Sequence, residues 1–352
     1  MNLPPVNRNQ AGEFLGETQK RDGGISMPNF LTSKFGQVHI CLEMGATHGG
    51  FERAKMTIAV IVEETAGNAG LLPDSIKFQH HRASEIIGEN YLIPYTDFEG
   101  EKQSPILTLL ASRQMMPAQW EEISRITRQA GMGFFATPGS PKDVGRLFFL
   151  ESIGIKIAGA DMNYLGLIRK AAEVGLPVLL DARCSLGELS GAVSTCFEVE
   201  NTRVVIVHCP SGYPAPAEKV SLGAIPKLRK IFPYCQIGFS DHSMGNEMCM
   251  AAIALGATYV EKCVTLDRNT PGPEHTMSLE PREVPAFVKS VRDLERALGG
   301  VEVAPNPQHR RSAFAARDIE KGEVFGEWNV VWLRPGDKGI SVRDEGKLDR
   351  MK

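Results

Sequence analysis

The feature that most constrains the fold is a regular alternation of short apolar runs and amphipathic segments that begins at residue 38. Eight of the runs have the length and the β-branched and aromatic content of strands, and segments of helical periodicity lie between them. The predicted strands are residues 38–43, 75–79, 133–137, 154–158, 177–182, 204–209, 236–240 and 259–265, and the predicted helices include 54–64, 117–129, 164–174, 222–232, 246–255 and 281–298. Eight strands that alternate with helices predict an α/β fold, a closed (β/α)8 TIM barrel.

The segments outside this pattern predict three further parts of the chain. Residues 1–36 are rich in Asn, Gly and Pro, so we expect an N-terminal arm ahead of a catalytic barrel at 37–300. Residues 301–309 carry two prolines and are typical of a linker. Residues 310–352 contain turn-rich β signals and predict a small β-rich domain with little core of its own.

Composition narrows the range of partners. Hydrophobic residues make up 42% of the chain and the formal net charge is −3, which favours neither nucleic acid nor an anionic membrane surface. No apolar run reaches the roughly 20 residues of a membrane span, and the N-terminus has no signal-peptide pattern, so we expect a cytoplasmic protein. The seven cysteines form no CxxC pair, which argues against a disulfide framework and a zinc knuckle. Small-molecule ligands are the expected partners.

Polar and ionisable side chains stand at the ends of all eight predicted strands. They are Glu43, Lys77, Gln79, Thr137, Lys156, Asp181, Arg183, Ser211, Tyr213, Asp241, His242, Glu261 and Cys263. In a (β/α)8 barrel these strand ends meet at the catalytic face. An ammonium group is costly to bury alone, so Lys77 and Lys156 predict a phosphate or carboxylate ligand beside them.

Ten short motifs, in order along the chain, together resemble those of the sialic acid (N-acetylneuraminate) synthase family. They are EMGATHG at 43–49, KFQ at 77–79, FATP at 135–138, KIA at 156–158, HCPSGYP at 208–214, SDH at 240–242, EKCVTLD at 261–267, PGP at 271–273, SLEP at 278–281 and RPG at 334–336. The family condenses phosphoenolpyruvate with an amino-sugar aldose such as N-acetylmannosamine. The resemblance therefore implies a cytoplasmic transferase that makes a sialic-acid-like 2-keto sugar acid and phosphate.

The resemblance, with the strand-end positions, also implies roles for particular residues. The implied catalytic residues are Glu43, Lys156, Tyr213 and Glu261; the implied substrate-binding residues are Lys77, Gln79, Thr137, Asp161, Asp181, Arg183, Ser211, Glu274 and Arg334; the implied metal ligands are His242 and Cys263. In the family a divalent metal, manganese or magnesium, activates the aldehyde of the sugar. The family's small module is an antifreeze-like (SAF) domain that reaches across a homodimer and supplies an arginine, here Arg334. The 310–352 segment is short for that module.

Three positions depart from the family pattern. Cys263 replaces the usual second histidine ligand, and because thiolate is a soft donor, zinc or iron becomes a candidate metal. Gly159 replaces a serine after the KIA motif. The usual Ser-Thr-Gly-Met reads Asp181 to Cys184, which places a carboxylate where phosphate is expected. Arg183 can compensate by pairing with phosphate or with Asp181 itself.

Two alternative functions remain open at the level of sequence. The departures are consistent with a degenerate barrel that binds a sugar or phosphosugar without turning it over. A pyruvate aldolase that acts through a lysine Schiff base is the second alternative, with Lys156 as the candidate amine.

Overall fold

The computed structural model describes residues 37–66, 68–299, 310–334 and 340–341. The chain divides into two units, Met1–Gly299 and Gly300–Lys352. The predicted N-terminal arm and the predicted linker lie outside the described residues.

Eight parallel strands close into a barrel in the first unit, which confirms the predicted fold class. The barrel strands are β1 (His39–Glu43), β2 (Ser75–His80), β5 (Gly133–Pro138), β6 (Ile155–Ile157), β7 (Val178–Asp181), β8 (Val204–His208), β9 (Gln236–Asp241) and β10 (Tyr259–Cys263), while β3 (Leu92–Asp97) and β4 (Gly100–Pro105) form a separate hairpin. Around the barrel the order is β1-β10-β9-β8-β7-β6-β5-β2. Because all eight strands run in parallel, their carboxyl ends share one face.

Helices connect successive strands and pack on the outside of the barrel. In the described residues they are α1 (Phe51–Glu64), α2 (Ala83–Ile86), α3 (Ile106–Ala111), α4 (Pro117–Gln129), α5 (Pro141–Phe149), α6 (Leu165–Glu173), α7 (Leu186–Glu198), α8 (Ala217–Val220), α9 (Ala224–Ile231), α10 (Glu247–Ala254) and α11 (Val284–Leu298). Apolar residues of these helices and of the strands form one large buried cluster. Burial of this shared surface is the main source of stability for the barrel.

The two-residue period of the strands separates the outer core from the barrel interior. On β6, Ile155 and Ile157 belong to the outer core, so Lys156 between them points to the opposite side. A second apolar cluster fills part of the interior and consists of Cys41, Phe135, Leu179, Val205, Val207 and Tyr259. The alternation therefore decides which side chains reach the interior.

The hairpin of β3 and β4 lies between β2 and the helices that lead to β5, and the sequence did not predict it. Thr96 on β3 donates its backbone N–H to the Tyr213 carbonyl at 3.0 Å. The Thr276 hydroxyl lies 3.4 Å from the Thr96 carbonyl. The hairpin therefore contacts the loops that follow β8 and β10, at the carboxyl face of the barrel.

The second unit contains an antiparallel pair of strands, β11 (Ser312–Ala315) and β12 (Val330–Leu333). The Asn329 side chain is buried and donates to the Val324 carbonyl at 3.0 Å, which orders the turn before β12. Arg334 follows β12 and is exposed. The β content agrees with the predicted small β-rich domain, and its antifreeze-like character stays a prediction. Among the helices of the described ranges, none has the length and apolar character that a membrane crossing requires.

Candidate active site

Two lysines and two glutamates from four strands meet inside the carboxyl end of the barrel. Lys156 on β6 donates to Glu261 Oε1 on β10 at 2.7 Å. Lys77 on β2 pairs with Glu43 on β1, and its Nζ lies 3.7 Å from Glu261 Oε1. All four residues are at most 4% exposed. These four predicted residues therefore lie together, as the strand-end argument expected, because inward side chains of neighbouring parallel strands converge in the barrel interior. Their roles stay predictions.

Burial and charge pairing oppose each other in this cluster. Burial acts to lower the pKa of Lys156, but the Glu261 and Asp181 carboxylates outweigh it and hold that pKa above its ordinary value. Burial likewise acts to raise the pKa of Glu261, and the two lysines hold it well below the usual range. Burial is the main cause of a lowered pKa at Lys77; Glu261 opposes that shift, and the neighbouring Lys156 ammonium adds to it. At neutral pH, Glu261 is an ionised partner for both ammonium groups.

The expectation of an external anion assumed that Lys77 and Lys156 have no partner within the protein, and this assumption is wrong. Glu43 and Glu261 already neutralise Lys77 and Lys156 within the barrel. The sequence did not reveal this, because pairing across the barrel depends on which strands face each other and not on their spacing along the chain.

Asp181 and Arg183 form an ion pair at the end of β7. The Arg183 guanidinium donates to Asp181 Oδ2 from Nη2 at 2.7 Å and to Oδ1 from Nε at 3.1 Å. Its Nη1 donates to the Tyr213 hydroxyl at 3.1 Å. Burial acts to raise the pKa of Asp181, but Arg183 and Lys156 outweigh it and lower that pKa. Of the two partners open to Arg183, it takes Asp181 in this structure.

The two residues nominated as metal ligands lie in separate pairs. His242 is 5% exposed, stacks on Tyr213 with 4.8 Å between ring centroids, and its Nδ1 lies 3.7 Å from Cys209 Sγ. Burial lowers the pKa of His242 to about 4, so its imidazole is neutral near pH 7. The Cys263 thiol instead contacts Glu274 Oε2 at 3.5 Å.

The donor set does not fit a metal centre as it stands. Across the described ranges, no group of three His, Cys, Asp or Glu side chains is arranged to hold a metal ion. Burial raises the pKa of the Cys263 thiol well above its ordinary value. We therefore derive no chemical step through a metal.

The remaining predicted residues of the barrel unit make no side-chain hydrogen bond to the cluster among the described contacts. Gln79 on β2 and Thr137 on β5 are half-buried strand residues, Asp161 is half-buried in the turn after β6, and Ser211 is exposed after β8. Burial raises the pKa of Asp161. Arg334 belongs to the second unit.

Two further residues complete the environment of Glu261 and were not among the predicted site residues. Ser240 Oγ donates to Glu261 Oε1 at 2.8 Å, and Tyr259 Oη donates to Oε2 at 2.5 Å. Ser240 lies opposite Glu261 in the β9–β10 register, and Tyr259 precedes it by two residues on the same strand face. That two-residue spacing was the available signal for Tyr259.

Asp241 does not join the site, contrary to its strand-end position. Its carboxylate accepts from Lys262 Nζ at 2.9 Å and from the Cys249 thiol of α10 at 3.3 Å. The prediction failed because adjacent residues on a strand point to opposite faces, and Ser240 takes the interior one.

The fold and the site together define a (β/α)8-barrel enzyme with a paired ionic centre at the carboxyl ends of its strands. The chain belongs to the NeuB family, whose model matches residues 62–303.

Individual relatives extend this similarity over most of the chain. The chain is 29% identical over 323 residues to the N,N'-diacetyllegionaminic acid synthase of Campylobacter jejuni, which covers 89% of this chain and 95% of that protein. It is 30% identical over 323 residues to a pseudaminic acid synthase of the same species, with 88% and 90% covered. Among solved structures, the sialic acid synthetase of Leptospira borgpetersenii matches with a TM-score of 0.65 and 28% identity, covering 77% of this chain and 88% of that one.

Proposed function

We propose that this chain condenses phosphoenolpyruvate with an amino-sugar aldose to give a sialic-acid-like 2-keto sugar acid and phosphate. The observation that carries the proposal is the convergence of Lys77 and Lys156 with Glu43 and Glu261 at the carboxyl face, in a chain of the NeuB family. The named relatives are synthases of sialic, legionaminic and pseudaminic acids, which supports the same class of product.

The reaction forms a bond between C3 of phosphoenolpyruvate and the aldehyde carbon of the sugar. The aldehyde oxygen takes up a proton and becomes a hydroxyl group. Water adds at C2, and phosphate departs with cleavage of the C–O bond. Lys77 and Lys156 supply two ammonium groups for the phosphate and the carboxylate of phosphoenolpyruvate. Glu261, which accepts hydrogen bonds from Lys156, Ser240 and Tyr259, holds these groups in place. Because its pKa is so low, we assign it positioning of the lysines and not proton donation.

The aldolase alternative is disfavoured by the charge of its candidate amine. A Schiff base forms from a neutral amine. Glu261 at 2.7 Å and the nearby Asp181 keep Lys156 protonated. Pyruvate with borohydride should therefore add no mass to the protein. The degenerate-barrel alternative predicts ligand binding without any condensed product, which mass spectrometry of the reaction mixture detects directly.

Several finer features belong to this proposal as predictions. Dependence on a divalent metal is one of them. Because His242 and Cys263 do not form a complete donor set among the described residues, a comparison of activity after chelation and after addition of manganese, magnesium, zinc or iron decides whether the chain uses a metal. A homodimer in which an antifreeze-like domain supplies Arg334 to the partner's site is tested by the oligomeric state and by Arg334→Ala. A cytoplasmic location also stays a prediction.

The decisive experiment measures phosphate release from phosphoenolpyruvate in the presence of a panel of amino-sugar aldoses. We expect release only with a suitable aldose, and a loss of about 100-fold or more in Lys156→Ala, because one charged group that stabilises the transition state is removed. Lys170→Ala, at a half-exposed position on α6, is the matched control and should retain full activity. Unchanged phosphate release in Lys156→Ala would overturn the proposed function.

A further inference from the structure

A cavity of about 240 Å³ lies at the carboxyl face of the barrel, between the loops that follow β1 and β10. Its polar walls come from the loop after β1, the start of α1, the residue stretch after α3 and the loop after β10. These walls carry Thr47, Arg53, Ser112, Arg113, Thr270 and His275. The Thr47 hydroxyl donates to the Val264 carbonyl, directly after β10. The cavity therefore borders the same two strands that carry Glu43 and Glu261.

Arg113 is the unusual residue of this cavity. It is 8% exposed, and no side-chain hydrogen bond or ion pair joins it to another described residue. Its nitrogens are not among the fully buried polar atoms that lack a partner, so the guanidinium opens onto the cavity that it lines. By contrast, the buried lysines of the described residues, Lys77, Lys156 and Lys262, each contact a carboxylate. A guanidinium that faces a cavity and has no ion-pair partner is positioned to bind an anion that enters there.

The electrostatic surroundings of Arg113 do not supply a partner. Burial lowers its pKa, while Glu274 and Tyr213 raise it from a distance, and no carboxylate in the described ranges comes within ion-pair reach. Burial is also the main reason that the pKa of His48 and that of His275 fall to about 4, so both neighbouring imidazoles are neutral near pH 7. Among the described residues, the positive charge of Arg113 is therefore balanced by no direct ion pair, only by the more distant Glu274.

The rest of the cavity wall has the same character. Arg53 is half-buried and donates from Nη2 to the Thr270 hydroxyl at 2.9 Å, which holds a second guanidinium at the wall. Among the described residues that line the cavity, none is an aspartate or a glutamate. Two arginines, Ser112 and Thr270 make a wall that can donate hydrogen bonds and carries positive charge, whereas the Thr47 hydroxyl already donates to the Val264 carbonyl. Such a wall matches an anion with several acceptor oxygens.

We infer that this cavity binds an anionic group, a phosphate or a carboxylate, carried by the acceptor sugar, with Arg113 as its principal ligand. The inference rests on the proposed function and adds a class of substrate to it. Phosphoenolpyruvate has its own ammonium groups in Lys77 and Lys156, on the strands of the barrel interior. The cavity instead borders Pro273, next to Glu274, the residue that the family resemblance sets along the sugar.

The test compares sugars that differ in one group: N-acetylmannosamine, its 6-phosphate and the corresponding 6-carboxylate. Calorimetric titration should give at least tenfold tighter binding of one charged sugar than of the neutral one, and whichever is preferred identifies the anion. In Arg113→Gln this preference should fall about 10- to 100-fold, the range expected for a hydrogen bond to a charged group. The KM for phosphoenolpyruvate should stay unchanged.

Two further variants keep the test valid if Arg113→Gln does not fold. Arg113→Lys retains the charge but loses the bidentate geometry, and Arg53→Gln removes the second guanidinium from a half-exposed position. Each variant should lower the binding affinity for the charged sugar and leave that for the neutral sugar unchanged. Arg125→Gln is the matched control, because Arg125 lies in an exposed ion pair with Glu122 on α4. It should change the binding affinity for neither sugar.

The outcomes separate the inference from the proposed function. Equal binding of neutral and charged sugars overturns the inference even if the condensation occurs. So does an Arg113→Lys variant that raises the KM for phosphoenolpyruvate instead of weakening the binding of the charged sugar. Absence of phosphate release with every sugar overturns the proposed function, while a charged-sugar preference that depends on Arg113 still supports the anion subsite.

Discussion

At the scale of single residues, Gly159 explains how this chain accommodates an arginine beside its lysines. A Cβ atom at this position would lie 3.0 Å from Arg183 Cβ and 3.3 Å from Asp181 Oδ1. Both distances are shorter than ordinary van der Waals contacts. Gly159 therefore leaves the space that the Asp181–Arg183 pair occupies, so these two departures from the expected family pattern are sterically coupled.

This connection predicts the effect of restoring the family's serine. Gly159→Ser should displace Arg183 and lower the free energy of unfolding by about 1 to 3 kcal/mol, as overpacking usually does. Urea unfolding measures the change, and Gly145→Ser, on α5 with no atom within 4 Å of the added Cβ, is the control.

A double variant tests the cause of that loss. Gly159→Ser with Arg183→Gly removes both the Cβ and the guanidinium that the serine meets, so the two substitutions should be non-additive and most of the added penalty of the serine should disappear. Additive losses would show that Gly159 acts independently of Arg183.

Residue types at the strand ends were predictable, but their partners were not. Lys156 and Glu261 stand out because each places a charged group within a short buried strand. Their 2.7 Å contact joins β6 to β10, which are far apart both in sequence and around the barrel. Only the closed fold brings them together, so the sequence suggested an external anion where an internal glutamate is present.

At the scale of elements, periodicity predicted the barrel strands and missed the inserted hairpin. The predicted helix 117–129 coincides with α4, since its apolar residues recur at helical spacing. The hairpin sequences LIPYTD and GEKQSP contain no sustained apolar alternation, because most of their residues are exposed or half-buried. Their stability comes from pairing with each other and from contacts with the loops that follow β8 and β10, and neither source leaves a periodic signal.

The hairpin contact gives a prediction at this scale. Thr96→Pro removes the N–H that bonds the Tyr213 carbonyl, and because this N–H points away from β4, the hairpin itself should persist. One hydrogen bond contributes about 0.5 to 1.5 kcal/mol, so kcat/KM for condensation should fall about 2- to 10-fold.

The comparison variant is Thr96→Ala, which keeps the backbone donor and should behave like the unmodified protein. Equal activity of the alanine and proline variants would mean that this contact does not position the Tyr213 loop.

At the scale of the whole molecule, buried neutral histidines predict acid sensitivity. Burial is the main cause that lowers the pKa of His39, His48 and His275 from 6.5 to about 4. Between these pH values the unfolded chain binds protons that the folded one does not, so stability falls as pH drops from 6.5 to 4. Each fully buried histidine contributes at most about 3 kcal/mol to this loss. Urea unfolding at pH 7, 6 and 5 measures it.

A single substitution isolates one of these protons. The Gly50 N–H donates to His48 Nδ1 at 3.0 Å, and His48→Asn offers an oxygen in its place without a titrating ring. The dependence of unfolding free energy on pH should then weaken by about one proton in this window. An unchanged dependence would show that His48 does not contribute.

The balanced charges of the barrel interior have a consequence for ligand choice. Each ammonium already has a carboxylate partner, so an arriving anion takes part in an exchange of partners and gains little from simple attraction. A small monovalent anion can replace only one carboxylate, and the ion pair that it forms carries the same charges as the one that it breaks. An anion with two charged ends can engage Lys77 and Lys156 together, so the resting ion pairs act as a filter that rejects common cellular anions.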